Sequence, residues 1–245
     1  MNSLNNKIAL ITGATSGIGA ASAIRFAEAG AYVIVTGRNK ERGNDVINEI
    51  SLKGGKGEFK EIDLKSDESI KGIVDYVEDK FGHLDILFNN AGIIPVPPQL
   101  EDITREDISA LFDTNVQGLC LMTIKCLPLL KKCKGVLLNN ASIGGIQSYS
   151  VGRGYIYAAS KAAVIKFTQM LAKNLAPEIR ANIICPGVIR TPVYKKFDEE
   201  RYKNNIPLGR VGESEDIASV ANFLVSDDSA FMNGAVVVVD GGQSL

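Results

Sequence analysis

Ile8-Ala9-Leu10-Ile11-Thr12-Gly13-Ala14-Thr15-Ser16-Gly17-Ile18-Gly19 runs from four consecutive apolar residues through a glycine-rich turn into helical periodicity, which Gly30 closes. An unbroken apolar run describes a strand buried on both faces, as in a parallel sheet covered by helices. The same unit recurs outward from it. Strands are predicted at 32–35, 58–62, 84–88, 136–138, 181–185 and 235–239, and helices at about 39–53, 67–81, 105–132 and 157–176. Strands alternating with helices predict an α/β fold, a doubly wound seven-stranded parallel sheet with helices on both faces. No repeat, low-complexity segment or linker interrupts the pattern, so residues 1–245 read as a single domain.

Composition excludes several classes. With 27 Lys+Arg against 28 Asp+Glu the net charge is −1, which removes the electrostatic case for nucleic acid or anionic lipid. The 45% apolar and 22% charged fractions are those of a globular chain. No apolar run approaches the ~18–20 residues that cross a bilayer. The opening Met1-Asn2-Ser3-Leu4-Asn5-Asn6-Lys7 leads into only four apolar residues and does not resemble a signal peptide. A soluble, cytoplasmic protein without a membrane partner is expected. The one histidine, His83, reads as a loop residue, and Cys120, Cys126, Cys133 and Cys185 form no CxxC pair, so no metal site is expected.

In such a sheet ligands bind beyond the carboxyl ends of the strands. There this sequence places the turn at Thr12–Gly19, then Thr36-Gly37-Arg38, Asp63-Leu64, Asn89-Asn90-Ala91-Gly92, Asn139-Asn140-Ala141-Ser142 and Pro186-Gly187. Glycine at 13, 17 and 19, with Thr15, Ser16 and Ile18 between, permits a tight turn whose N–H groups approach a pyrophosphate at a helix N-terminus. The spacing G-x-x-x-G-x-G differs from the usual G-x-G-x-x-G, and no Gly-Lys-Ser/Thr follows to make a phosphate loop of the Walker kind. After the second strand a carboxylate would bond the adenosine ribose, whereas an arginine accommodates a 2′-phosphate. Residues 33–40 hold no Asp or Glu but do hold Arg38, so NADP(H) is favoured, with NAD(H) possible.

Tyr-x-x-x-Lys occurs twice, at Tyr76/Lys80 and Tyr157/Lys161. The first lies in a charged helix and reads as an accident of a solvated face. The second opens a helix of small and apolar residues just after the strand that ends at Ser142. Spacing of four puts phenol and ammonium on one helical face. A phenol ordinarily titrates near ~10, so a buried ammonium beside it is needed to make it a base at neutral pH.

Taken together, Thr12-Gly13-x-x-x-Gly17-x-Gly19, Asn89-Asn90-Ala91-Gly92, Asn115, Ser142, Tyr157-x-x-x-Lys161, Pro186-Gly187 and the terminal Val239-Asp240-Gly241-Gly242 resemble the short-chain dehydrogenase/reductase family in its compact single-domain form. The resemblance implies a Rossmann-like dinucleotide-binding and catalytic domain. It implies Tyr157 as general acid/base, Lys161 tuning it and binding the nicotinamide ribose, Ser142 orienting the carbonyl and Asn115 holding a relay water. Asp63 and Leu64 would flank the adenine, Asn90, Ala91 and Gly92 would line the cofactor, and Ile189 and Thr191 would meet the carboxamide beside Pro186 and Gly187.

Ser142 and Tyr157 stand two residues further apart than is usual in that family, while Tyr155 sits at the usual distance. Four residues beyond Tyr155 is Ala159, which cannot tune a phenol, so Tyr157 is preferred and a longer loop carrying Ile146, Tyr149, Arg153 and Tyr155 is expected. Substrate walls are expected from that loop, from 93–98, and from 188–207 with Tyr194, Lys195, Lys196, Phe197, Arg201 and Tyr202. A small-molecule secondary alcohol or ketone is the expected substrate. Residues 116–132 carry apolar side chains on more than one face, which points to burial against the sheet on one side and a second subunit on the other; the family resemblance implies a homotetramer (or homodimer). The alternative function is a nucleotide-binding regulator without catalysis. The full set Asn115, Ser142, Tyr157 and Lys161 favours the enzyme.

Overall fold

A computed structural model describes residues 3–95, 98–146, 154–192 and 199–245, the side chains of Glu199 and Arg201 excepted. The elements in chain order are β1 (Ile8–Ile11), α1 (Gly17–Glu28), β2 (Tyr32–Gly37), α2 (Lys40–Leu52), β3 (Lys56–Glu61), α3 (Asp67–Phe81) and β4 (Ile86–Asn89). Then come α4 (Arg105–Phe112), α5 (Leu119–Lys131), β5 (Val136–Asn140), α6 (Tyr155–Leu175), β6 (Arg180–Pro186), α7 (Glu199–Lys203), α8 (Ser214–Val225) and β7 (Val236–Val239). One seven-stranded sheet runs in the order β3-β2-β1-β4-β5-β6-β7, and every pairing is parallel. β1 pairs with β2 on one side and β4 on the other, so the strand order reverses there and a crevice opens beyond its carboxyl end.

Alternation along β1 explains why its apolar run is unbroken. Ala9 and Ile11 join the layer formed with Phe26 of α1, Val46 and Ile50 of α2 and Leu224 of α8. Ile8 and Leu10 join the opposite layer, with Ile70 and Val77 of α3 and Met122 and Leu129 of α5. The Phe26 and Phe88 rings, 6.3 Å between centroids, tie α1 to β4 beneath the glycine turn. Truncating either to alanine is expected to cost about 3–5 kcal/mol.

Several boundaries differ from expectation for identifiable reasons. β3 begins at Lys56 rather than at 58, because an edge strand with an exposed start is held by main-chain pairing to β2 and needs no apolar run. The helical stretches expected over 105–132 are α4 and α5, separated by a π-helical turn at Asp113–Gly118 that contains Asn115. α8 was not anticipated; it starts in a capping box in which the Glu213 side chain and Asp216 exchange bonds with each other's backbone N–H. α6 begins at Tyr155, so Tyr155 belongs to the first turn of the helix and not to the loop before it.

The candidate active site

The glycine turn is fastened to the end of β4. Thr12 Oγ1 accepts from the backbone N–H of Asn90 and of Ala91, both at 3.1 Å. Asn90 Nδ2 returns bonds to the carbonyls of Thr12 and Gly13, also at 3.1 Å. Gly13 has φ +64°, and a Cβ there would stand 2.7 Å from Cα of Ala91. A Cβ on Gly19 would lie 2.4 Å from the Gly13 carbonyl oxygen, so both positions are closed to any side chain.

The α1 N-terminus differs from those of α2, α3, α4 and α8. Those four carry acidic residues in the first turn, and α2, α3 and α4 also a side-chain cap bond, whereas α6, with Gly154 at its N-cap, has neither. In α1, Ser16 makes no side-chain cap bond and the first turn holds no acid. Its N–H groups and positive dipole end are left for an anion, as a bound pyrophosphate requires. At the end of β5, Asn140 Nδ2 donates to Asn90 Oδ1 at 2.9 Å, while Asn140 Oδ1 is buried without a partner.

The other expected cofactor residues ring this crevice. Thr15 approaches Gly37 at the end of β2, where a Cβ would meet Thr15 Cγ2 at 2.7 Å, and Arg38 follows, exposed. Asp63 closes a turn by accepting from the Lys65 N–H at 3.0 Å, beside buried Leu64. Ile189, buried, pairs with Gly212 through an isolated bridge, and Thr191 reaches the glycine turn, its Cγ2 3.0 Å from where a Cβ on Gly17 would be.

The four expected catalytic residues come from β5, α6 and the π turn. Ser142 caps a short 3₁₀ turn at Ile143–Gly145, its Oγ accepting from the Gly144 N–H at 3.1 Å. That turn docks on α6 so closely that a Cβ at Gly145 would stand 2.6 Å from the backbone carbon of Lys161. Lys161 is 4% exposed, and its Nζ donates to the carbonyl of Asn140 at 2.8 Å and lies 5.9 Å from the Tyr157 ring centroid. Burial pulls its ammonium down from the usual 10.5 to about 8, with a small opposing contribution from Cys185. The Cys185 thiol, buried beside Ser142, is pushed up to about 11 by burial, which favours its protonated form at neutral pH.

Asn115 is held by both ends of its amide. Oδ1 accepts from the Ile93 N–H at 2.8 Å, and Nδ2 donates to the Ile93 carbonyl at 3.1 Å and, more weakly, to Ser160 Oγ at 3.4 Å. The side chain so engaged ties the π turn, whose geometry departs from the regular helical ladder, to the segment after β4. Ser160 Oγ in turn donates to the Tyr157 carbonyl at 2.7 Å, linking the π turn to the first turn of α6.

Sequence reasoning missed Ser160 and the side chain of Asn140. Ser160 is three residues from Tyr157 on the same helix, a spacing that was available as a signal. Asn140 stood inside a quoted strand end, but only coordinates show which way its amide is held. Tyr149, Arg153, Tyr194, Lys195, Lys196, Phe197, Val96 and Pro97, and the Arg201 side chain, lie outside what the structure describes. His83 sits at the opposite end of the sheet, its Nδ1 2.9 Å from the Phe81 carbonyl and its Nε2 3.2 Å from Asp85.

A parallel sheet with a glycine cradle, an open helix N-terminus and a buried lysine beside a tyrosine defines a dinucleotide-dependent oxidoreductase. The enoyl-(acyl carrier protein) reductase family model matches residues 13–244. The chain is 38% identical over 244 residues to a 3-oxoacyl-(acyl-carrier-protein) reductase of Thermotoga maritima, covering 98% of each chain. It is 36% identical to a cyclohexanol dehydrogenase of an Acinetobacter strain, covering 99% of this chain and 97% of that one. A crystal structure of a dehydrogenase/reductase from Sinorhizobium meliloti superposes with TM-score 0.94 at 32% identity, covering 100% of this chain and 97% of that one. The chain belongs to the short-chain dehydrogenase/reductase family and is an NAD(P)-dependent oxidoreductase. Among the described residues no helix is long and apolar enough to cross a membrane.

Proposed function

We propose that the protein interconverts a secondary alcohol and a ketone with NADP(H), using Tyr157, Lys161, Ser142 and Asn115 within one dinucleotide-binding and catalytic domain. The observation that carries this reading is Lys161: its ammonium is buried beside Tyr157 and donates to a neutral carbonyl rather than to a carboxylate. Its charge therefore remains available to favour phenolate on Tyr157. Substrate chemistry is supported by what the relatives' names share. Cyclohexanol, cyclopentanol and meso-2,3-butanediol are secondary alcohols, and a 3-oxoacyl group is a ketone.

The bound dinucleotide supplies or accepts the hydride. Gly13, Thr15, Ser16, Gly17, Ile18 and Gly19 would cradle its pyrophosphate, with Asp63 and Leu64 at the adenine and Asn90, Ala91, Gly92, Pro186, Gly187, Ile189 and Thr191 along the nicotinamide half. In the direction of reduction Tyr157 Oη gives its proton to the carbonyl oxygen, and in oxidation it takes that proton back. Ser142 Oγ already accepts from Gly144, so its own proton is free to bond the substrate oxygen and fix it near the phenol. Lys161 holds the nicotinamide ribose, and a water on the Asn115 carbonyl replaces the proton.

Arg38 past the end of β2, with no acid in residues 33–40, supports NADP(H) over NAD(H). Exposed Ile124 and Met170, 51% and 48% accessible on α5 and α6, support a homotetramer, and the reading includes a cytoplasmic location. The test is a panel of secondary alcohols and ketones followed by nicotinamide absorbance with each cofactor. Turnover faster with NADP(H), reversed in Arg38→Asp, is expected; binding of either cofactor without turnover across the panel would favour a regulator. Light scattering giving a monomer's mass would reject the tetramer.

A further inference from the structure

We propose that Asn139 and Thr168 are positioning residues for Lys161: the buried bond between them sets where α6 sits along β5, and so holds the ammonium beside Tyr157. The inference rests on the reading of Tyr157 and Lys161 as the catalytic pair. It starts from four polar side chains that the mechanism does not use. Asn89, Thr123, Asn139 and Thr168 are each at most 2% exposed. Asn89 and Asn139 stand opposite each other on β4 and β5. Alternation puts them on the side of Leu87 and Leu137, in the apolar layer completed by Met122 and Leu129 of α5 and Ala172 of α6.

Their hydrogen bonds have fixed directions. Thr123 Oγ1 gives its proton to the Leu119 carbonyl at 2.8 Å, and Thr168 Oγ1 gives its own to the Val164 carbonyl at 2.7 Å. Each hydroxyl therefore accepts from an amide: Asn89 Nδ2 at 2.8 Å and Asn139 Nδ2 at 2.7 Å. Asn139 Oδ1 closes the chain by accepting from Asn89 Nδ2 at 2.9 Å. One buried line thus joins α5, β4, β5 and α6. Stability alone does not call for it. Asn89 Oδ1 is left without a partner, and apolar side chains of the same shape would fill the layer without that cost.

What the line provides is position. Thr168 stands seven residues after Lys161, about two turns along the same face of α6. Asn139 directly precedes Asn140, whose carbonyl accepts from Lys161 Nζ at 2.8 Å. Adjacent residues of β5 therefore hold α6 at two points. The lysine bond ends a flexible stem and cannot fix the helix. Buried Val164 and Ala172, on the same face, make non-directional contacts that tolerate sliding. The Asn139–Thr168 bond joins a short side chain on the helix to an amide already held by Asn89, so it fixes the helix along its axis. A slipped helix carries the ammonium away from the phenol, and its effect there falls with distance.

The experiment compares wild-type protein with Thr168→Ser, Thr168→Val and the double variant Asn139→Leu/Thr168→Val. Serine keeps the hydroxyl, valine strands the Asn139 amide, and the double variant removes both partners at similar volume. Tyr157 ionisation is read in the cofactor-free proteins by ultraviolet titration of phenolate, with Tyr157→Phe made in each background to isolate it. Cys185 of β6, the other titratable group acting on Lys161 among the described residues, sits at about 11 and stays protonated over most of that range. In the double variant Tyr157 should ionise about one pH unit higher, and alcohol oxidation at neutral pH should fall about tenfold yet recover in alkali. Its melting temperature should stay close to that of the wild type, because both partners of the bond have gone. Thr168→Val should show the same shift with a lower melting temperature, and Thr168→Ser should match the wild type throughout. An unmoved titration and pH profile would overturn the assignment. So would a rate lowered equally at every pH, or a double variant too unstable to fold, either of which would make the bond structural. Wild-type protein without turnover across the panel, together with the shifted titration, would reject the functional reading and leave this placement of Lys161 standing.

Discussion

The chain contains the same five-residue pattern twice, and the two copies have opposite electrostatics. At Tyr76/Lys80, Tyr76 donates to Glu58 of β3 and Lys80 donates to both Glu58 and Tyr76 at 2.9 Å. Burial and the bond to Glu58 push the Tyr76 phenol up, and the bond to Glu58 also raises Lys80. Burial would raise Glu58 as well, but the bonds from Lys80 and Tyr76 prevail and hold it below its usual value. Every proton in that cluster is pinned. At Tyr157/Lys161 no carboxylate pairs with the lysine among the described residues, burial lowers it to about 8, and its contact is a neutral carbonyl. Spacing brings a phenol and an ammonium to one face in both places; what surrounds the ammonium decides whether it can lower the phenol.

The largest expected contrast is in turnover. Tyr157→Phe should reduce kcat by on the order of 10³-fold or more, the scale of a lost general acid/base, while Tyr76→Phe leaves it within a factor of two or so. Tyr155→Phe, in the same turn of α6 but 43% exposed, should also retain activity. If Tyr155→Phe abolished turnover and Tyr157→Phe did not, the assignment would be reversed.

Next is Lys161→Met. Activity should fall with it, yet the cofactor-free protein should gain stability at neutral pH, by up to about 3 kcal/mol, since a buried ammonium is replaced by an apolar chain of similar length. The sign follows from linkage. The lysine's folded value, about 8, lies below its ordinary 10.5, so between these the unfolded chain binds the extra proton and wild-type stability rises with pH. The advantage of Lys161→Met should therefore be full below pH 8 and shrink toward 10.5, in denaturant titrations at several pH values. The same ionisation should weaken wild-type cofactor binding as pH rises past about 8. Lys161→Met should bind weakly at every pH, and a wild-type affinity flat across that range would contradict the electrostatic account.

The topology was legible because buried parallel strands are continuous apolar runs, and the carboxyl-end rule then directed attention to the residues after each strand. Ser142 and Tyr157 fall at a strand end and a helix start, whereas Asn115, in the π turn between α4 and α5, was marked only by the family resemblance. β3 was partly misplaced because its edge position lets Lys56 and Glu61 serve as strand residues, and charge patterning hides such a strand. The π turn at Asn115 was invisible, since it preserves helical spacing to within one residue. The start of α6 at Tyr155 was missed for a similar reason: no capping side chain marks it, with Gly154 at the N-cap. Orphaned or fully bonded amides such as Asn140 and Asn115 depend on three-dimensional partners that no spacing encodes.

The smallest expected effect tests the other half of the comparison. Lys80→Met removes the cation of a half-exposed cluster, so it should leave kcat and cofactor affinity unchanged and cost only about 0.5–1 kcal/mol at neutral pH. Unlike Lys161→Met, it should be destabilising. Its pH dependence also runs the other way. Glu58 is held low in the folded protein, so its contribution is present above the ordinary carboxylate range and is lost as pH falls through that range. The cost of Lys80→Met should accordingly shrink in acid, where Glu58 takes up a proton and no longer needs the ammonium. Screening by added salt should reduce it further, because side chains this accessible interact across solvent. If the two lysine-to-methionine variants instead shifted stability in the same direction at neutral pH, burial would not be what distinguishes the two pairs.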